Sequence, residues 1–153
     1  AFAEVDVEDS DAEGLERTRI AHFMLERLLG RGAFGEVWLA DDVTLDRKVA
    51  LKLAVTRKGE QADLVHEARA AAQLRHPNIV AVHEVGHEGE HLFVASEYVE
   101  GITLQDKLSQ GQLEVEEALP IVAVVARALH HAHEQGIVHR DVKPANILLD
   151  VAA

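Results

Sequence analysis

From Phe23 to Ala40, apolar and polar residues fall into two strand-like runs, FMLERLL and EVWLA, on either side of the glycine-rich turn GRGAFG. Lys48 to Val55 (KVALKLAV) alternates in the same way and predicts a third strand. Glu60 to Leu74 changes period: Leu64, Ala68, Ala71 and Ala72 stand at helical spacing in an alanine-rich segment, which predicts a helix. The segment HPNIV ends it, because the residue before Pro77 is pushed out of helical geometry. Two more strands are expected near Ile79 to Val85 and His91 to Tyr98, joined by a glycine-containing turn. After Gly101 the pattern becomes helical. Thr103 and Asp106 have the spacing of a capping box for a short helix that Gly111 ends. A longer helix with the apolar stripe Ala118, Val122, Val125, Leu129 and Ala132 runs to about Gln135 and is closed by Gly136. Pro120 either opens this helix or kinks it. Strands around one helix, followed by helices, is an α+β order with a boundary near Glu97 to Gly101.

Composition narrows the class. Hydrophobic residues make up 48% of the 153, enough for a packed core and too many for a wholly disordered chain. Residues 1–18 are the exception: they are acidic, without periodicity, and read as a flexible lead-in. There is no cysteine, which excludes a disulfide scaffold and cysteine-ligated zinc and suits a reducing, cytoplasmic compartment. A formal net charge of −12 makes nucleic acid a poor partner. The longest apolar run, Ala118 to Leu129, holds Pro120 and Arg127 and is too short to span a bilayer.

Four motifs carry chemistry. Gly30-Arg31-Gly32-Ala33-Phe34-Gly35-Glu36-Val37 contains G-x-G-x-x-G. Glycines let backbone N–H groups approach phosphates closely. A dinucleotide-binding glycine loop opens a helix, whereas this one is followed by a strand and so belongs to a hairpin. In Val49-Ala50-Leu51-Lys52, strand parity puts Lys52 and Ala50 on one face, with Lys52 under the glycine loop. Glu67 lies in the alanine-rich helix ahead of His76-Pro77-Asn78-Ile79-Val80. His139-Arg140-Asp141-Val142-Lys143-Pro144-Ala145-Asn146 fits H-R-D-x-x-x-x-N over eight positions.

In this order and rough spacing the four motifs resemble the catalytic domain of bacterial, eukaryotic-like protein Ser/Thr kinases, over about Ile20 to Asp150. The resemblance implies a protein-kinase-like fold: a five-stranded antiparallel N-lobe sheet with one αC helix over 19–99, then the first helices and catalytic loop of the C-lobe over 100–153. It implies ATP and Mg²⁺ as cofactors, Ser/Thr hydroxyls of proteins as acceptors, and transfer of the ATP γ-phosphate. Asp141 would accept the substrate proton, Asn146 would hold Mg²⁺, and Lys143 would neutralise charge on the moving phosphoryl group. Lys52 would grip the α- and β-phosphates, held by Glu67, which stands at the interval the family has before HPNIV. Gly30, Gly32 and Gly35 would form the phosphate roof. Leu29, Val37, Ala50 and Leu148 would enclose the adenine, Glu97 to Val99 would form the hinge along its edge, and Ser96 would be a small gatekeeper. Lys143-Pro144 resembles Ser/Thr rather than tyrosine kinases, and with HPNIV it disfavours a small-molecule kinase. Arg140 implies control by a phosphorylated activation loop.

Two other patterns weigh less. His83-Glu84-Val85-Gly86-His87 fits H-E-x-x-H, a zinc-protease signature that requires a helix, but Gly86, Gly89 and strand-like flanks predict a hairpin. His130, His131 and His133 read as a polar helix end. No Asp-Phe-Gly triplet, the main Mg²⁺ anchor of the resembled family, occurs in the 153 residues. The expectation is therefore the front half of a kinase domain, with apolar surface exposed along the Ala118–Ala132 stripe and little turnover in isolation. The alternative is a non-catalytic nucleotide-binding or scaffold module of the same fold.

Overall fold

The computed structural model describes residues 18–32, 35–55, 61–89 and 91–151. The acidic lead-in falls almost wholly outside them. Six strands form one antiparallel sheet: β1 (Arg19–Ile20), β2 (Phe23–Gly32), β3 (Gly35–Asp42), β4 (Arg47–Val55), β5 (Val82–Glu88) and β6 (His91–Glu97), in the spatial order β1-β2-β3-β4-β6-β5. Helix α1 (Gln61–Ala71) crosses from β4 to β5. After β6 come β7 (Gly101–Thr103), α2 (Leu104–Ser109), α3 (Val115–Glu134), a 3₁₀ turn at Pro144–Asn146, and β8 (Leu148–Asp150), which pairs with β7 as a separate two-stranded sheet.

The five long strands fall where the alternation puts them, and the sheet holds one strand more than expected. β1 is two residues long and doubles back on Phe23 and Met24. Ala21, at φ 52°, makes the turn, and the Leu25 N–H closes it on the Thr18 carbonyl at 3.0 Å. β5 starts at Val82, later than the apolar run predicts, after a turn in which the Asn78 N–H donates to His76 Nδ1 at 3.1 Å and the Ile79 N–H to the His76 carbonyl at 3.1 Å.

One face of the sheet is closed by Ile20, Phe23, Ala40, Val49, Leu51, Phe93 and Ala95. Phe23 and Phe93 meet edge to face at 5.6 Å, a favoured aromatic geometry. The H-E-x-x-H stretch is strand β5, so His83 and His87 stand four strand residues apart, ~13 Å, too far to share a metal. Gly86 has a packing reason: a Cβ there would come within 2.4 Å of the Phe93 ring.

Helix α2 has the expected capping box. Thr103 Oγ1 accepts from the Asp106 N–H at 3.0 Å, and Asp106 Oδ2 accepts from the Thr103 N–H at 3.1 Å. Helix α3 neither begins at Pro120 nor stops there. It starts five residues earlier and carries Pro120 in its second turn, where the missing N–H removes one helical bond. Ala132 on its stripe is buried, while Val122 is 64% exposed, beside exposed Val115 and Leu119. His131, expected at a polar end, instead stacks on His76 at 5.2 Å, while His130 lies 3.6 Å from Glu134. No helix among the described residues is long and apolar enough to cross a membrane.

Asp42 is the one buried charged residue among those described, 1% exposed at the end of β3. Its carboxylate accepts from the Thr44 and Leu45 N–H groups, each at 3.1 Å, and from Arg47 Nε at 3.2 Å. Burial pushes this carboxyl up, but the Leu45, Arg47 and Thr44 donors and nearby His22 outweigh that and hold it below its ordinary value. Asp42→Ala is expected to cost about 3 kcal/mol in denaturant unfolding, because three donors lose their partner. Since folding lowers the carboxyl, this stability is complete above the ordinary carboxylate range and is lost as pH falls through the folded value. The pH dependence of stability should flatten at its acid end in Asp42→Asn.

Candidate functional site

Register places the first group of residues. Gly30 pairs with Val37, Val37 with Lys52, and Lys52 with Val94, so these four form one row across four strands and share a face. The next row is Leu39, Ala50 and Ser96. Lys52 and Ala50 therefore share a face, as strand parity predicts, and Val49 and Leu51 fill the core on the other. Ser96 Oγ donates to the Ala50 carbonyl at 3.3 Å, fastening the strand that carries Lys52 to the end of β6. Leu29 sits at an irregularity in β2 between Leu28 and Gly30 and is partly exposed.

The glycines differ in what surrounds them. A Cβ on Gly30 or Gly32 would meet nothing within 4 Å among the described residues. Gly35 has φ 116°, and a Cβ there would lie 2.0 Å from the Leu53 carbonyl oxygen. Gly35 is thus fixed by the close approach of β4, which does not constrain Gly30 or Gly32 in the same way.

At the end of β6, the Glu97 N–H donates to the Ala81 carbonyl at 2.8 Å. Any bond from Glu97 to a ligand edge must then come from its carbonyl. Tyr98 Oη accepts from Arg27 Nη2 at 3.2 Å, and Val99 follows, half-buried, before β7. Glu67 lies on α1, but its side chain falls outside the described residues. Lys52 is half-buried.

The second group is assembled by the loop from His139 to Asn146. β8 runs back beside β7, with Leu148 opposite Thr103 and Asp150 opposite Gly101. The Leu104 N–H bonds to the Ile147 carbonyl at 2.8 Å and the Val151 N–H to the Glu100 carbonyl at 3.0 Å. These bonds tie the loop's exit to the segment that leaves β6. Within the loop, Asn146 Nδ2 donates to the Asp141 carbonyl at 2.8 Å and to its Oδ2 at 3.1 Å, and Lys143 Nζ lies 3.0 Å from the same Oδ2. Asp141, Lys143 and Asn146 therefore converge, as the motif spacing requires. The Lys143 ammonium, then the Asn146 amide, holds the Asp141 carboxyl below its ordinary value.

Two loop features have no role assigned by the motif. His139 Nδ1 accepts from the Asp141 N–H at 3.2 Å, and Arg140 has φ 62°, a strained conformation for a non-glycine residue. Side-chain acceptors at i and i+2 are a local signal that could have identified His139; the Arg140 torsion has no counterpart in the sequence.

Residues 23–153 match the protein kinase domain. The chain is 39% identical over 133 residues to serine/threonine-protein kinase PrkC of Bacillus subtilis, covering 84% of this chain and 20% of that protein. It is 42% identical over 137 residues to serine/threonine-protein kinase PknJ of Mycobacterium tuberculosis, covering 87% and 23%. The crystal structure of the Mycobacterium tuberculosis PknI kinase domain superposes with a TM-score of 0.79 at 35% identity, covering 89% of this chain and 58% of that one. The chain belongs to the protein kinase domain family. It spans about a fifth of the length of these curated relatives and just over half of the solved domain.

Replacing Lys143 by Ala removes the nearest positive charge from Asp141. The Asp141 carboxyl, followed by NMR titration of side-chain carboxyl carbons, should then titrate at higher pH than in the unaltered protein, and Asn146→Ala should move it the same way by less.

Proposed function

We propose that these residues form the nucleotide-gripping and base-bearing part of a protein serine/threonine kinase, divided into two lobes near Glu97 to Gly101. The observation that carries this reading is the convergence of Lys143 and Asn146 on Oδ2 of Asp141. ATP is the substrate. Gly30 and Gly32 leave the open backbone its phosphates need, Lys52 faces the same space in the row of Gly30, and Val37 and Ala50 line the strands toward the hinge. Leu29 and Leu148 complete the adenine enclosure, with the Glu97 carbonyl and the Val99 backbone along the purine edge. Glu67, on the helix next in the chain, orients Lys52.

The acceptor is a Ser or Thr hydroxyl of a protein. Asp141, held anionic by Lys143, is a weak base. It accepts a hydrogen bond from the hydroxyl, aims the oxygen at the γ-phosphorus, and takes the proton only as the new O–P bond forms and the bond to the β–γ bridging oxygen breaks, releasing ADP. Lys143 stands where it can balance negative charge on the transferred group. Asn146 fits a hard-cation ligand: its Nδ2 is committed to Asp141, which leaves Oδ1 as the outward acceptor for Mg²⁺. Bound Mg²⁺ would neutralise phosphate charge. Dependence on ATP and the lack of cysteine support a cytoplasmic setting.

In the full-length protein with a Ser/Thr protein substrate, Asp141→Asn should lower phosphoryl transfer at least ~100-fold while ATP affinity stays within about threefold. Lys52→Met should weaken ATP binding as well. ATP binding with no transfer by the unaltered protein would support the non-catalytic module instead.

A further inference from the structure

We propose that Glu36 is a positioning residue for the phosphate-facing backbone of the glycine hairpin, acting through Arg31 and Trp38; this rests on the reading of Gly30 and Gly32 as the phosphate cradle. Arg31 stands between the two glycines, so its side chain leaves the opposite face of β2. Directly across from it on β3 is Glu36. Two residues further along the same face is Trp38, which is the only tryptophan among the 153 residues. Both carboxylate oxygens of Glu36 are used. Oε1 accepts from Arg31 Nε at 2.8 Å, and Oε2 accepts from Trp38 Nε1 at 2.9 Å.

The geometry is a fork that fixes the outer face of the hairpin stem, opposite the side on which Gly30 and Gly32 carry no side chains of their own. Glycine backbones sample many conformations, and on the cradle side nothing among the described residues lies within 4 Å of a Cβ position at Gly30 or Gly32. Order in that backbone must therefore come from the far side of the strands. Gly35, locked against Leu53 of β4, fixes one end of the turn, and the Arg31–Glu36 pair fixes the stem beside it. Arg31 is largely exposed and Glu36 partly so, and an exposed pair of this kind adds little to global stability. Its effect falls on the two strands it joins. N–H groups already aimed at the phosphates lose less freedom when a nucleotide binds. The clamp thus contributes to recognition of the phosphate chain and not of the purine.

That division gives the test. Binding of ATP, ADP and adenosine is measured by calorimetry on the full-length protein and on Glu36→Ala, Arg31→Ala and the double variant. The clamp predicts that each single change weakens ATP and ADP roughly three- to tenfold, leaves adenosine unchanged, and that the double variant binds no more weakly than the worse single one. Should Glu36→Ala fail to fold, Arg31→Ala carries the same comparison from the opposite strand. Equal losses for ATP and adenosine, or unchanged ATP binding in the variants, would overturn the clamp alone. An unaltered protein that binds neither ATP nor adenosine contradicts the nucleotide-site reading beneath it.

Discussion

The register of β4 against β3 and β6 decides where the chemistry lies. Val49 and Leu51 are fully buried on one face, and the residues between and beside them, Ala50 and Lys52, must take the other. A slip of one residue would send Lys52 into the core cluster and Leu51 to the ligand face, at a cost of a buried charge and a lost apolar anchor. The same register sets Gly30 and Val37 in the row of Lys52, and Ala50 beside Ser96 at the start of the hinge. One packing constraint thus places Gly30, Lys52 and Ser96, the proposed phosphate roof, lysine and start of the purine edge, relative to one another.

The catalytic loop is held by other means. Its functional side chains are exposed, and no core surrounds them. Local hydrogen bonds do the positioning: Asn146 back to Asp141, His139 to the Asp141 N–H, and the β7–β8 pairing at the loop's exit. Asp42 and Asp141 are both held below the ordinary carboxylate value, for different reasons. Asp42 is sealed in the β3–β4 turn, where its donors outweigh burial and brace the sheet. Asp141 is open to solvent and lowered by Lys143 and Asn146.

Much of this was legible because period and spacing are read over several residues. The face of Lys52 follows from parity alone, and the Thr103–Asp106 capping box from its spacing. The H-R-D octapeptide brought Asp141, Lys143 and Asn146 together because five residues of loop suffice to close a turn. What escaped the sequence was short or non-local. β1, β7 and β8 are two or three residues long and show no period. Pro120 sits within α3 because the cost of one lost helical bond is outweighed by continuing a twenty-residue helix. The tilted ring contact of His131 with His76 joins positions 55 residues apart in the chain, and the left-handed torsion at Arg140 has no residue-type signal.

The central claim is that Lys52 lies against the phosphates of a bound nucleotide, under Gly30 and Gly32. An acyl phosphate of ATP transfers its acyl group to an amine that touches the phosphate chain, and peptide mass mapping then locates the modified residue. The account predicts acylation of Lys52, suppressed by unmodified ATP and abolished in Lys52→Arg. Acylation spread over other lysines such as Lys48 and Lys107, with Lys52 untouched or indifferent to competing ATP, would contradict it.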